Sequence, residues 1–396
     1  MKTRIYLISV IFLLGLLLFL VTRQFMVDFY WRVANQDGKA LNKTIGELEK
    51  CIAIDNDNAQ FHFFLGRIYL RKGLGKAVKQ TEKNRWVRKA IDEFHRGIEL
   101  KPSASDYHFH LGVSYASLGY PPPFYRRIIQ DSFQRTVMLN PTDVRHLYSI
   151  GIYYLNEYSR LRKIALNARE TSTANYKNHI EISKDNYQFF FRKLLDVDEE
   201  YLNKILEKCF SVTQEYADLN ALSRNTARSH LILARFLNNK GMWEEAKNQY
   251  MVAINLEPLN PIYYAEFANA FSSKRDFKNA ITWWQKQKVV NPQDERIYLS
   301  LSYGFMQLNR FDDALRELHE LIKLNPKNID YHVKLVKTLL AARRIDEAIN
   351  EYRKIVEKNQ NLSKSMYDKI HYYQRKGNYL KAIDILNEAL TSAHNR

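Results

Sequence analysis

A chain of 396 residues is long enough for several domains, and its 46% apolar and 26% charged residues exclude wholesale disorder. With 13 Gly and 9 Pro over that length, turns are too sparse for an all-β protein, so long helices are expected. The net charge of +17 invites a nucleic-acid reading, but the basic excess is spread along the chain and forms no dedicated face, so no nucleic-acid partner is expected.

The chain opens with "MKTRIYLISVIFLLGLLLFLVTRQF", which carries no charge from Ile5 to Thr22. As a helix, Ile5 to Val21 would extend roughly 25 Å, near the lower limit for a bilayer, and Arg4 and Arg23 can snorkel to lengthen it. A cleaved signal peptide is the competing reading, but no small-x-small site follows. Residues 1–4 are therefore expected as a cytoplasmic tail and 5–22 as an uncleaved transmembrane signal-anchor. Lys2, Arg4 and the α-amino group favour a cytoplasmic amino terminus, which places the remainder on the periplasmic or extracytoplasmic side of the inner membrane.

Residues 23–57 follow as juxtamembrane helices, ending in "TIGELEKCIAIDND", which reads as a lone second helix of a degenerate half repeat. From 58 to 156 a helix-turn-helix pattern appears in "FHFFLGRIYLRKG" with "KAIDEFHRGIELKP", then in "YHFHLGVSYASLG" with "IIQDSFQRTVMLNP", and opens again in "LYSIGIYYLN". Residues 157–226 are Tyr-, Phe- and Leu-rich and read as an inserted helical segment. From 227 to 396 five units of 34 residues run without interruption.

In the first of these, Leu233, Ala234 and Leu237 line one helix face, Gly241 ends that helix, and Ala246, Tyr250 and Ala253 form the stripe of the second. Pro258 turns the chain into the next unit. Stepping by 34 from Ala246 gives Ala280, Ala314, Ala348 and Ala382. A pair of short helices cannot bury its stripe alone, so the pattern has to recur and stack.

This pattern resembles the tetratricopeptide repeat (TPR) family, and the resemblance covers nearly everything after residue 40. It implies an all-α TPR α-solenoid of about eight helix-turn-helix repeats plus inserted helices, behind one N-terminal transmembrane helix. Against the 34-residue norm the first unit carries 12 extra residues between its helices and the second 5, and a longer stretch begins near Glu157. All three insertions are expected at the turn inside a repeat, projecting from one edge. The last unit is polar at Asn387, Thr391 and His394, as a terminal cap should be.

Catalytic chemistry is not evident. His108 and His110 are two apart on a helix and cannot share an ion, and no metal or cofactor is expected. His62, His108, His230 and His332 all fall at position 4 of their repeats, where Tyr264, Tyr298 and Met366 also occur, so packing explains them. "KGLGKAV" has Leu70 and Ala77 where a Walker motif needs Gly and Ser/Thr. Cys51 and Cys209 form no CxxC and read as small core residues; the sequons at Asn42 and Asn361 matter only in a eukaryotic secretory route.

The leading expectation is a non-catalytic, membrane-tethered scaffold for protein partners. In TPR proteins the first helices line a concave groove, and the positions that meet ligand fall here on Arg235, Asn269, Tyr303, Lys337 and His371, flanked by Arg228, Asn238, Arg296, Lys334 and Lys364. Such a basic and amide surface suits an acidic peptide or tail. An accessory factor in envelope polysaccharide or lipid assembly is the second reading, and an enzyme with an unrecognised site in 157–226 the third. One charge block stands apart: Arg71, Lys72, Lys76, Lys79, Lys83, Arg85, Arg88 and Lys89 face only Glu82. It reads either as an anionic-lipid or glycan contact near the bilayer or as a mobile, solvated loop.

Overall fold

A computed structural model describes residues 41–75, 78–119, 123–167, 170–358 and 364–394. The segment expected to span the membrane at 5–22 lies outside them, and no described helix is long and apolar enough to cross a bilayer. The described residues form nineteen α-helices and one 3-10 turn, with no strand. They divide into two compact units, Met1–Tyr201 with Ser211–Thr213, and Leu202–Phe210 with Gln214–Arg396.

The first unit begins with α1 (Leu41–Ile54), which buries Ile45, Leu48 and Cys51. Three helix pairs follow: α2 (Ala59–Gly73) with α3 (Gln80–Leu100), α4 (Ser105–Ser117) with α5 (Pro123–Leu139), and α6 (Val144–Asn167) with α7 (Glu170–Val197). In each pair a glycine of the first helix meets a phenylalanine of the second. A Cβ at Gly66 would fall 2.8 Å from the Phe94 ring, one at Gly112 2.7 Å from Phe133, and one at Gly151 would overlap Phe191. All three rings are shut off from water.

The insertions are accommodated differently from expectation. The extra residues lengthen helices more than loops: α3 has 21 residues, α6 24 and α7 28. The expected boundary between 156 and 157 falls inside α6, which continues unbroken to Asn167. The cause is that burial continues beyond 156. Tyr158 and Leu161 are buried, and the Tyr158 ring lies 5.5 Å from that of Tyr187 on α7. The segment from 157 therefore includes the continuation of α6 and its partner helix, with Phe191 filling the place of Phe94 and Phe133.

In the second unit α8 (Leu202–Thr213) and the short α9 (Tyr216–Asn220) lead into five pairs: α10 (Ala227–Asn239) with α11 (Trp243–Leu256), α12 (Pro261–Ser273) with α13 (Phe277–Val290), α14 (Glu295–Gln307) with α15 (Phe311–Leu324), α16 (Ile329–Ala341) with α17 (Ile345–Lys358), and α18 (Lys364–Arg375) with α19 (Tyr379–His394). The second helices all start on a 34-residue step. Ala246, Ala280, Ala314, Ala348 and Ala382 are wholly buried at the crossings. The side chains of Asn387, Thr391 and His394, expected to cap the end, lie outside those described.

The turn inside each of these repeats is set by one left-handed residue: Gly241, Arg275, Asn309, Arg343 and Gly377, with φ between 55° and 81°. The N–H of the following residue returns to a carbonyl five residues back, as from Met242 to Leu237 and Asp276 to Phe271, closing the end of the first helix. Entry to the first helices is also fixed, because Thr226, Asn260, Asp294 and Asn328 each accept an N–H from the first turn.

Candidate functional site

In five repeats the loop before the first helix is held by the side chain at position 4. Tyr264 donates to the Pro258 carbonyl at 3.0 Å and Tyr298 to that of Pro292 at 2.7 Å. His108 reaches Pro102 O at 2.9 Å, His62 reaches Asn56 O at 2.9 Å, and His332 lies 3.4 Å from Pro326 O. Each carbonyl sits six residues before its donor, so the position needs an N–H or O–H as well as bulk. Sequence reasoning saw only the bulk; the restriction to His and Tyr in these five repeats was the available signal.

Two of these histidines hold a second acceptor. His62 Nδ1 lies 2.7 Å from Glu93 Oε2, and His332 Nδ1 2.7 Å from Glu351 Oε1. A neutral imidazole has one N–H, so the two acceptors around His62 favour its protonated ring. Burial pushes the His62 pKa down, but the Glu93 hydrogen bond, the Asn56 carbonyl and the Glu93 charge together raise it above the ordinary value. His110 shows the opposite balance: burial lowers it to about 4. The Cys51 thiol is pushed up to about 11 by burial and then by Glu47, and Cys209 is raised mainly by burial; both are unreactive core groups. No cluster of three metal-ligating side chains occurs among the described residues.

The ten expected groove residues separate into two kinds. Some are already engaged within the protein. The Arg235 guanidinium grips Glu266 of the next pair at 2.9 and 2.7 Å, and Arg296 holds its own helix cap Asp294 at 2.9 Å through two nitrogens. That second contact keeps the Asp294 carboxyl below its usual range. Asn269 accepts from the Trp284 indole at 3.3 Å, and His371 stacks on Tyr367 and meets Gln374. Asn238 has its side-chain oxygen buried, and Arg228 is exposed.

Others face solvent. Tyr303 is 50% exposed, with its ring edge-on to Phe277, and Lys334 and Lys337 are exposed with no ion pair among the described residues. The Lys364 side chain lies outside those described. Between α12 and α14 a cleft of about 300 Å³ brings together Glu266, Asn269, Arg296 and Ser300 over a floor of Trp284 and Gln287. Glu266 was missed in sequence, because its tie to Arg235 spans position 9 of one repeat and position 6 of the next.

The basic block is no loop beyond Lys79. Lys79 stands at the start of α3, and Lys83, Arg85, Arg88 and Lys89 lie on its first turns; Lys76 is outside the described residues. Trp86 organises it. The indole stacks on Tyr69 at 5.6 Å, with Lys72 Nζ 3.6 Å and Lys89 Nζ 5.3 Å from its centroid. Lys79, Arg85 and Arg88 remain exposed. Cations in the first turns of a helix oppose its dipole, with only Glu82 to offset them, so an external anion would be favoured there.

A family model described as tetratricopeptide repeat matches residues 305–371, from the end of α14 into α18. No curated protein matches the chain. Among solved structures, the MamA protein aligns over 59% of this chain and 92% of its own at 14% identity and TM-score 0.33. The first TPR of Spaghetti (RPAP3), bound to an HSP90 peptide, covers 29% of this chain and 91% of its own at 19% identity and TM-score 0.26. The Arabidopsis OM64 TPR domain covers 30% and 92% at 22% identity and TM-score 0.24.

Proposed function

We propose that this chain is a membrane-tethered, non-catalytic scaffold that docks protein partners along the first helices of its second unit and helps to assemble an envelope complex. The observation that carries the reading is the exposed column of Tyr303, Lys334 and Lys337 on helices whose other faces are buried. An aromatic edge beside two unpaired ammonium groups suits an extended acidic segment. Arg235 and Arg296 contribute less than their charge suggests, since Glu266 and Asp294 already occupy them.

In this reading the tether is the apolar stretch 5–22 in the inner membrane with the repeats on the extracytoplasmic side, supported by the uncharged run from Ile5 to Thr22 and the basic residues before it. The exposed cations of α3 add a contact for anionic lipid or glycan. Cross-linking in intact cells, followed by capture with wild-type chain and with Tyr303→Ala, Lys334→Ala and Lys337→Ala combined, tests the docking surface. The triple variant is expected to lose its main protein partner. An unchanged partner set retires the reading.

A further inference from the structure

One repeat of the second unit departs from its sisters around a single cleft, the space of about 300 Å³ between α12 and α14. At the step of 34 residues Gln287, on its floor, answers to Ala253, Leu321, Ile355 and Ala389, all apolar and buried. Gln287 is only 7% exposed, yet its carboxamide makes no hydrogen bond among the described residues. A buried amide without a partner is destabilising, and an apolar residue serves at every sister position, so packing does not account for it.

Other polar groups around the cleft are open as well. Asn269 commits its oxygen to the Trp284 indole, which leaves its amide hydrogens, and the Asn291 carboxamide and Ser300 hydroxyl have no partner among the described residues. The charged lining residues are already engaged, Glu266 by Arg235 and Asp294 by Arg296. What remains is neutral and both donates and accepts, which is the complement of another carboxamide. The rim beside it is apolar in this repeat alone. Ile262, 56% exposed, lines the cleft where Arg228, Arg296, Asp330 and Lys364 stand in the sister repeats. Leu259, 83% exposed, stands where they have Asn225, Gln293 and Lys327. Its loop is fastened, because Tyr264 donates to the Pro258 carbonyl and Asn260 accepts the Ile262 N–H at 3.2 Å. Two branched aliphatic side chains are thus held in water in a fixed arrangement.

We propose that this cleft receives the side-chain amide of a glutamine from an extended segment of a protein partner, whose apolar residues two places away rest on Ile262 and Leu259. Residues two apart in an extended chain share a face, so one segment can present both groups at once. Glutamine is the longer of the two amide side chains and so the one suited to a partner at the floor. The inference rests on the reading of the first helices as a protein-docking face and extends it, since Ser300 lies one turn from Tyr303 on α14.

Fluorescence anisotropy of the full-length chain with the labelled peptide Gly-Leu-Ser-Gln-Ser-Leu-Gly tests it, beside the same peptide carrying Glu or Ala in place of Gln. The Gln peptide is expected to bind at least tenfold tighter than either. Gln287→Leu matches the sister position Leu321, and is expected to abolish that preference with a melting temperature no lower than wild type. Ile262→Arg matches Arg296, and should weaken the Gln peptide tenfold or more. Tyr303→Ala combined with Lys337→Ala should leave the preference intact, so that failure of the docking column and failure of this cleft are told apart. No preference for Gln at millimolar peptide overturns the proposal, as does a preference that survives Gln287→Leu or is lost in the Tyr303 and Lys337 variant. Binding undiminished by Ile262→Arg does the same. So does a melting temperature lowered by Gln287→Leu, because the carboxamide would then be bonded within the protein.

Discussion

The ring of Phe191 occupies the space that a side chain at Gly151 would need, although 39 residues of chain and the whole overrun of α6 and α7 separate them. Gly151→Ala must therefore displace an aromatic ring that is itself fully buried. The expected cost is about 1–3 kcal/mol, the range for overpacking, even though alanine favours a helix over glycine. Denaturation of the first unit, followed by its near-UV signal, checks the value. Gly151→Ala combined with Phe191→Leu should recover part of the loss; strict additivity of the two costs would show that the contact is not the cause.

The left-handed residues of the second unit give a prediction of opposite sign. Arg275 and Arg343 adopt φ near 60° where Gly241 and Gly377 do so without strain. A left-handed residue other than glycine costs roughly 1–2 kcal/mol, and glycine loses roughly 0.5–1 kcal/mol of chain entropy. Arg275→Gly is thus expected to stabilise by about 0.5–1 kcal/mol. A lowered melting temperature would contradict the turn geometry.

His62 provides a pH test. Its folded pKa lies above the ordinary value of 6.5, so the folded state holds a proton that the unfolded chain releases. The stabilisation is fully present below about pH 6.5 and is lost as pH rises through the folded value. Proton NMR titration should show His62 changing above 6.5, whereas His110, at about 4, stays neutral throughout. Glu93→Gln should bring the His62 transition below 6.5; an unmoved transition would rule out the carboxylate as the cause.

The α3 cations are tested with vesicles of anionic lipid and the chain from residue 27 onward. Each basic residue near such a surface contributes about 1 kcal/mol, screened within roughly 8–10 Å. Replacing Lys79, Lys83, Arg85 and Arg88 by Gln is expected to weaken binding by more than tenfold, and added salt should act in the same direction. Wild-type protein that ignores these vesicles at low salt would remove the membrane role.

Topology has its own assay. A reporter fused after Arg396 is expected to be active only outside the cytoplasm, and protease added to spheroplasts should digest the repeats. Protection until lysis would reverse the orientation.

The repeat register was legible because its markers are side chains that only a crossing or a turn explains: Ala280 where helices touch, Gly241 and Pro258 where they end. Arg275 and Arg343 hid the same turn, since nothing in an arginine announces φ > 0. Insertion length was legible at Gly66–Phe94 but not its form, because a loop and a longer helix use the same residues until the stacking of Trp86 on Tyr69 or the burial of Tyr158 is known. The candidate groove was legible only as positions. Whether Arg235 faces a ligand or Glu266 depends on how closely one helix pair stacks on the next, a distance that no single repeat encodes.

The hydrogen bond from position 4 to the carbonyl six residues back has a consequence for the middle of the second unit. There it pins the entry to α12, α14 and α16, so each of these loops is fastened to the helix it introduces. In a stack where cohesion passes only between neighbours, three fastened entries in succession make the run from α12 to α16 the part expected to open last. The column of Tyr303, Lys334 and Lys337 stands on that run, so a partner laid along it would meet a surface already ordered and lose little entropy in arranging it.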